Sequence, residues 1–141
     1  MANVIPYSFR GELFTGTHNF ASGGDAFKLA LYTASPYTTA STVYSATSEV
    51  SASGTAYTTT GNTLTGNAVA YGTAVATCDF ADTEWTSATF TAAFGAIYND
   101  DQSDKLCVVL DFGGNKTCTN GTFKISFPNP STPGDAILSM A

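Results

Sequence analysis

Residues 26–33 read AFKLALYT, so Phe27, Leu29 and Leu31 alternate with a lysine, an alanine and a tyrosine. A period of two is that of a β-strand, in which successive side chains point to opposite faces. We therefore predict a half-buried strand here, with its three large apolar side chains turned toward a core. The same alternation returns in TFKISF at residues 122–127.

The composition favours the same fold class. The 141 residues are enough for one domain. Only 11% of them are charged, against about 25% in an average soluble domain. The sequence has 23 threonines and 13 serines. Threonine, tyrosine, phenylalanine and valine suit a pleated surface better than a helical one. An all-β protein is therefore expected.

Further strands are predicted after residue 63, at residues 64–71, 74–80, 88–98, 105–112, 122–127 and 136–140. Turn signals rich in glycine, asparagine and proline separate them, at residues 71–72, 99–101, 113–115, 120–121 and 128–130. Two Asn-x-Thr sequences, at residues 115–117 and 120–122, are interpreted as turns. About seven to eight strands at this spacing predict an antiparallel β-sandwich or a jelly-roll-like fold.

The first part of the chain differs from the rest. Residues 6–16 predict one short helix, because Phe9 and Leu13 lie four residues apart on one helical face. The predicted organisation is an N-terminal arm over residues 1–24 and a single β-sandwich domain over residues 25–141.

A long loop rich in serine, threonine and tyrosine is expected at residues 34–62, with Glu49 as its only charged residue. Loops of this length are usually binding loops or disordered. Tyr37, Tyr44 and Tyr57 indicate an ordered loop, because disordered segments contain few aromatic residues.

The charge balance excludes one class of partner. Five basic and eleven acidic residues give a net charge of −6, so a phosphate backbone would repel the domain and nucleic acid is not an expected partner. The N-terminus lacks the pattern of a signal peptide, and no stretch approaches the ~20 apolar residues of a membrane helix. A protein made in the cytoplasm, with no membrane partner, is predicted.

Candidate catalytic and metal-binding residues are few. His18 is the single histidine and is predicted to lie at the surface or to cap the helix. The acidic clusters at residues 79–84 and 99–104 could be interpreted as a calcium site or as the paired carboxylates of a glycosidase. Their spacing fits neither pattern, and acidic residues are common in turns. We predict no catalytic residues, metal or cofactor, and a protein that is not an enzyme.

The cysteines and the single tryptophan each allow a structural and a functional interpretation. Cys78, Cys107 and Cys118 are odd in number and lack a C-x-x-C spacing, so buried thiols are predicted. Trp85 could stack on a sugar, although packing in the core is the commoner role of such a residue.

Segments along almost the whole chain carry a resemblance to a known family. They are MANV at residues 1–4, SF at 8–9, FKLALYT at 27–33, SPYT at 35–38, EVS at 49–51, TAYT at 55–58, DFADTEW at 79–85, GAIYN at 95–99 and VVLDFGGNK at 108–116. Together they resemble a small virion structural protein of tailed bacteriophages. The resemblance implies a virion component, and it brings no catalytic residues with it.

The expected function is that of a capsid decoration, or cement, protein on the outer surface of the phage head. Its partners would be the major capsid protein and other copies of itself, as a homotrimer, because a low-charge β-domain packs side by side without self-repulsion. The expected contact residues are aromatic or large and apolar: Phe9, Leu13, Phe14, Phe20, Tyr37, Tyr44 and Tyr57. The alternative is a receptor-binding or carbohydrate-binding module of a tail or head fibre, with Trp85 stacking on the glycan.

Overall fold

A computed structural model describes residues 2–72, 74–128 and 136–140. Its elements are helix α1 (Tyr7–Phe14), strands β1 (Phe27–Tyr32), β2 (Asn62–Thr63), β3 (Ala68–Tyr71), β4 (Ala76–Asp79) and β5 (Thr83–Asn99), a 3₁₀ turn (Asp100–Gln102), and strands β6 (Lys105–Ile125) and β7 (Leu138–Met140). The strands form two antiparallel sheets, in the orders β2-β1-β5-β6 and β3-β4-β7. The predicted all-β, sandwich-like fold is confirmed.

The main core receives side chains from both sheets. Leu29 of β1, Phe123 of β6 and Cys78 of β4 belong to one buried apolar cluster. Aromatic side chains make much of this cluster, and the rings of Phe20 and Phe27 stack with centroids 4.3 Å apart. Burial of rings this large is the main source of stability in a domain of this size.

Strand β1 is buried on both faces, which corrects the half-buried strand expected from its alternation. A second apolar cluster lies on the other face of the four-stranded sheet and includes Tyr32, Tyr98 and Leu106. Tyr37, from the segment after β1, belongs to this cluster and covers that face. The alternation identified the strand correctly. It gave no sign that the second face of the strand is also buried, because the segment that covers this face is irregular chain.

Strand β6 runs without a chain reversal through residues 113–115 and 120–121, so the turns predicted there are wrong. The two Asn-x-Thr sequences therefore lie in a strand. The turn predicted at residues 99–101 is confirmed, since the 3₁₀ turn joins β5 to β6 there. The signal at residues 128–130 falls partly outside the described residues.

The turn signals in β6 mark bulges instead. Between the pairs Ala92–Lys116 and Phe94–Asp111, four residues of β6 lie opposite one residue of β5. Gly113 has a φ of 71°, a conformation that glycine adopts without strain. A bulge needs the same residue types as a turn, so sequence alone does not separate the two.

The first 24 residues pack against the main core through Phe9 and Phe20. Helix α1 was predicted and is confirmed, and its Phe9 is buried in the main core. Gly16 ends the helix with a φ of 69°, and the Thr17 amide donates to the Glu12 carbonyl at 3.0 Å, as in a Schellman motif. No helix among the described residues is long and apolar enough to cross a membrane.

Candidate interaction surface

The outer face of α1 carries two exposed aromatic side chains. Tyr7 is 62% exposed and Phe14 is 88% exposed. They lie seven residues apart, so both project from the same side of the helix. Gly11 lies between them, and no atom would lie within 4 Å of a Cβ placed there. Arg10 lies over the Tyr7 ring, 5.2 Å from its centroid. We call the face formed by Tyr7, Arg10, Gly11 and Phe14 the α1 face.

Contacts on the opposite side of α1 hold the α1 face outward. Phe9 is buried and Leu13 packs against the main core. Glu12 forms an ion pair with Lys105 of β6, with Oε1 and Nζ 2.9 Å apart. Because three positions on one side of the helix are fixed to the sheet, the aromatic side chains on the other side cannot turn inward.

Helix α1 is joined to the sheet by a buried polar network around His18. The His18 side chain has no exposed surface, so its predicted surface position is wrong. Its Nε2–H donates to Glu12 Oε2 at 2.8 Å, and its Nδ1 accepts from Asn99 Nδ2 at 2.9 Å. Asn99 also donates to Asp25 at 2.8 Å. The network therefore connects α1, the segment before β1, and β5.

The carboxylates of this network are held in their charged form. Burial raises the pKa of Glu12, but hydrogen bonds from Lys105 and His18 outweigh it, and the pKa of Glu12 lies below its usual value. Burial likewise raises the pKa of Asp25, and hydrogen bonds from the Asn19 amide and from Asn99 lower it to below its usual value. Both groups therefore stabilise the folded chain as carboxylates.

Cys107 also lies beside His18, with Sγ 4.0 Å from Nδ1. Glutamate, histidine and cysteine are residue types found in hydrolases. Here the thiol is fully buried, and burial raises its pKa well above the usual range. A thiolate nucleophile is disfavoured in such a site. We therefore interpret Glu12, His18 and Cys107 as a structural group that holds helix α1 on the sheet.

Four of the predicted contact residues lie in the protein interior. Phe9, Phe20, Tyr37 and Tyr57 are all buried, so their side chains pack within the subunit and are not free to contact a partner. Leu13 and Tyr44 are half-buried, against the main core and the second cluster respectively. Phe14 alone of the seven is strongly exposed.

Glu49 joins separate parts of the loop of residues 34–62 to one another. This carboxylate accepts hydrogen bonds from the Tyr44 hydroxyl at 2.6 Å, the Tyr57 hydroxyl at 2.7 Å and the Thr60 amide at 2.8 Å. Burial raises the pKa of both phenols, and the nearby carboxylate raises it further, so both remain protonated donors.

A second set of hydroxyl groups fixes the first half of the loop. The hydroxyl oxygens of Tyr32 and Tyr37 are 2.7 Å apart. The Tyr32 hydroxyl also donates to the Ser45 carbonyl at 2.9 Å, and the Ser45 amide donates to the Tyr37 hydroxyl at 2.9 Å. Tyr37, Tyr44 and Tyr57, on which the predicted order of the loop was based, all form hydrogen bonds that join the loop to itself or to the sheet.

Trp85 and the acidic clusters have structural partners. Trp85 is only 3% exposed and lies in the main core, so it is not available to stack on a glycan. Asp82 pairs with Lys124 at 3.0 Å. In the 3₁₀ turn, Asp100 pairs with Lys28 at 3.1 Å, and Asp101 accepts from the Ala26 amide at 2.7 Å.

The three cysteines are free thiols in different settings. Cys78 and Cys107 are buried, as predicted, and burial raises the pKa of Cys78 to about 12. Cys118 is partly exposed, which corrects its predicted burial. It lines a groove of about 470 Å³ along β6, together with Phe112, Phe123 and Lys116.

The comparisons with known proteins give no relative: no protein family, curated protein or solved structure matches the chain. The resemblance to a phage virion protein therefore stays a prediction. The sequence contained a signal for the α1 face, namely aromatic residues seven apart on a predicted helix. It contained none for the network around His18, because Asn99, which joins His18 to Asp25, lies 81 residues after His18.

Proposed function

We propose that the chain is a structural protein of a phage virion, a capsid decoration protein that docks on the outer surface of the head through the α1 face. The observation that carries the proposal is the exposure of Tyr7 and Phe14 on a helix whose other side is fixed to the core. Exposed aromatic side chains on a rigid element are typical anchors of protein interfaces, since little conformational entropy is lost on binding.

The charge of the chain supports an outer position. At a net charge of −6, the protein is repelled by packaged DNA and is better placed on the outside of the shell. The major capsid protein would then present an apolar site for Phe14 and Tyr7, with Arg10 available for an acidic group at the rim of that site.

The test uses capsids of the encoding phage prepared without this protein. Wild-type protein should co-sediment with them and raise the temperature at which they open. Phe14→Ser and Tyr7→Ser should each reduce the fraction bound, and the double variant should abolish binding. Deletion of residues 1–24 is a poor test, because it removes Phe9 and Phe20 from the main core.

Val43→Ser is the matched control, since Val43 is also apolar and 47% exposed but lies in the loop. It should bind as wild type does. The circular dichroism spectra of all variants should match that of the wild type. Equal binding by Phe14→Ser and wild type would remove the α1 face from the interface. Binding to a glycan array without binding to capsids would overturn the proposed function.

A further inference from the structure

Strand β3 is an exposed edge of the three-stranded sheet. Among the described residues it pairs only with β4, and all four of its residues are exposed. Val69 is 37% exposed and Tyr71 is 84% exposed. These two side chains lie two residues apart in a strand, so they project from the same face of the sheet. The edge therefore presents a β-branched and an aromatic side chain side by side.

The register of the β3–β4 hairpin shows which backbone groups of this edge point outward. The Gly72 amide donates to the Val75 carbonyl at 2.7 Å, so these two residues form a hydrogen-bonded pair. Hydrogen-bonded and non-hydrogen-bonded pairs alternate along an antiparallel ladder, and the pairing of β3 with β4 is continuous. The amides and carbonyls of Val69 and Tyr71 therefore point away from β4. They make no backbone hydrogen bond with another described segment.

The other sheet edges are shorter or are protected against strand addition. Strand β2 has two residues and β7 has three. The outer half of β6 carries the exposed Lys116 and Lys124, and Asn120 has a φ of 47°. Charges and distortions of this kind hinder the addition of a strand. Residues 50–78, by contrast, contain no charged residue and no proline, so the β3 edge itself bears no charge that would repel a second copy.

We propose that the chain forms a dimer in which β3 pairs antiparallel with β3 of a second copy, about a two-fold axis at Ala70. The outward backbone groups of Val69 then exchange hydrogen bonds with those of Tyr71 of the second copy, and the axis repeats this exchange at the other pair. Each Val69 side chain lies opposite a Tyr71 side chain, and such β-branched and aromatic pairs stabilise a sheet. The two Ala70 residues face each other at a non-hydrogen-bonded position, where strands approach most closely and a small side chain fits.

This contact closes with two copies. Both copies use the same edge, so the interface is isologous and leaves no β3 edge for a third copy. The two three-stranded sheets become one continuous sheet. The symmetry gives a dimer, whereas the sequence led us to expect a homotrimer. The contact uses no residue of the α1 face, so the inference goes beyond the proposed function.

Disulfide formation tests both the register and the axis. In a Cys118→Ser background, in which the other two cysteines are buried, Ala70→Cys places a thiol opposite its own symmetry mate. The Cα atoms of such a pair lie about 4.5 Å apart, within the range that a disulfide spans. Oxidised glutathione should therefore convert Ala70→Cys to a covalent dimer on a non-reducing gel. Ala68→Cys is the matched control, because it lies on the same face of the same exposed strand but opposite Gly72 of the second copy. It should remain a single subunit.

A proline substitution tests the backbone pairing. Val69→Pro removes an outward amide and leaves the β3–β4 ladder intact, so its circular dichroism spectrum should match that of the wild type. Its dimer dissociation constant, measured by sedimentation equilibrium, should rise roughly tenfold or more, because a hydrogen bond is lost on each side of the axis. Val69→Thr keeps the amide and the branched side chain, and it should dimerise nearly as the wild type does.

The outcomes separate this inference from the proposed function. A wild-type monomer or trimer at high protein concentration, or equal amounts of covalent dimer from Ala70→Cys and Ala68→Cys, would overturn the inference. A monomer that still binds capsids overturns this inference alone, and a dimer that does not bind them overturns the proposed function alone.

Discussion

The loop of residues 34–62 and the outer half of the β5–β6 pair obtain their order in opposite ways. Apart from Asn62, which begins β2, the loop contains only isolated bridges, Tyr32 with Glu49 and Val43 with Lys105. Side-chain hydrogen bonds nevertheless hold it on the sheet, since the Tyr57 hydroxyl accepts from the Leu31 amide of β1 and the Tyr98 hydroxyl of β5 donates to the Thr60 carbonyl. The strand pair has a long backbone ladder, but its outer edge pairs with no other part of the chain that the structure describes, and its surface is largely exposed.

The difference shows that regular secondary structure and burial are separate properties in this protein. The loop covers one face of the four-stranded sheet, so irregular chain supplies part of the core. The β5–β6 pair extends as a long ladder and leaves a groove, and the outer edge of β6 over residues 116–125 pairs with no other described segment. We therefore expect substitutions in the loop to reduce stability more than substitutions on the outer strand pair.

The largest expected effect is that of Gly61→Ala, at the end of the loop. Gly61 has a φ of 82°, and a Cβ there would overlap the carbonyl oxygen of Leu29. The backbone would have to move, and the pairing of β1 with β2 would be lost with it. We expect a loss of more than about 3 kcal/mol in the free energy of unfolding, measured by urea denaturation.

Gly113→Ala is the matched change in the outer strand pair. Gly113 has a similar φ of 71°, but no atom lies within 4 Å of the position that its Cβ would take. Only the strain of the left-handed conformation remains, and this costs about 1 kcal/mol. Equal losses for the two variants would show that the close approach of Gly61 to β1 does not matter for stability.

The next largest effect is expected for Glu49→Ala. This change leaves the hydroxyls of Tyr44 and Tyr57 and the amide of Thr60 without their acceptor. Each unsatisfied donor costs about 1–3 kcal/mol when it is buried, and partial solvent access lowers the sum, so we expect a loss of about 3 kcal/mol. Thermal unfolding followed by circular dichroism measures it.

Glu84→Ala serves as the control on the strand pair. Glu84 is exposed, so its removal should change stability by less than about 0.5 kcal/mol. If Glu49→Ala were as stable as Glu84→Ala, the tyrosine hydrogen bonds would not be what holds the loop.

Sequence patterns predicted the strands better than their connections. Alternation identified β1 and the ends of β6, because a period of two directly reports a pleated backbone. The glycines at residues 113–114 predicted a turn, although they form a bulge in β6. Positive φ favours glycine in both structures, and only the partner strand decides which one forms.

The candidate surfaces were predictable in part. Phe14 was among the expected contact residues and is exposed, whereas Phe9, Phe20, Tyr37 and Tyr57 are buried. An aromatic side chain suits a core and an interface equally, so its type does not decide between them. The edge position of β3 could not be identified from the sequence, because it depends on which strands pair in the fold.

The smallest expected effect concerns the ion pair at the end of the β5–β6 pair. The hydrogen bond from Lys124, followed by that from the Phe127 amide, lowers the pKa of Asp82 below its ordinary value of 3.8. A carboxyl with a lowered pKa in the folded state stabilises the fold above the unfolded pKa, and this contribution is lost as the pH falls through the folded pKa. NMR titration should therefore give Asp82 an inflection below pH 3.8 in the wild type. In Lys124→Gln the inflection should move up toward the ordinary value.

Lys116→Gln is the control for this titration, since Lys116 has no carboxylate partner among the described residues and its loss should leave the pKa of Asp82 unchanged. The pair is exposed, so its contribution to stability is small, and the unfolding temperature at neutral pH should hardly change in Lys124→Gln. If Lys124→Gln were unfolded near neutral pH, this would contradict the contrast drawn between the loop and the β5–β6 pair. It would mean that the outer strand pair depends on side-chain contacts as strongly as the loop depends on Glu49, rather than on its backbone ladder.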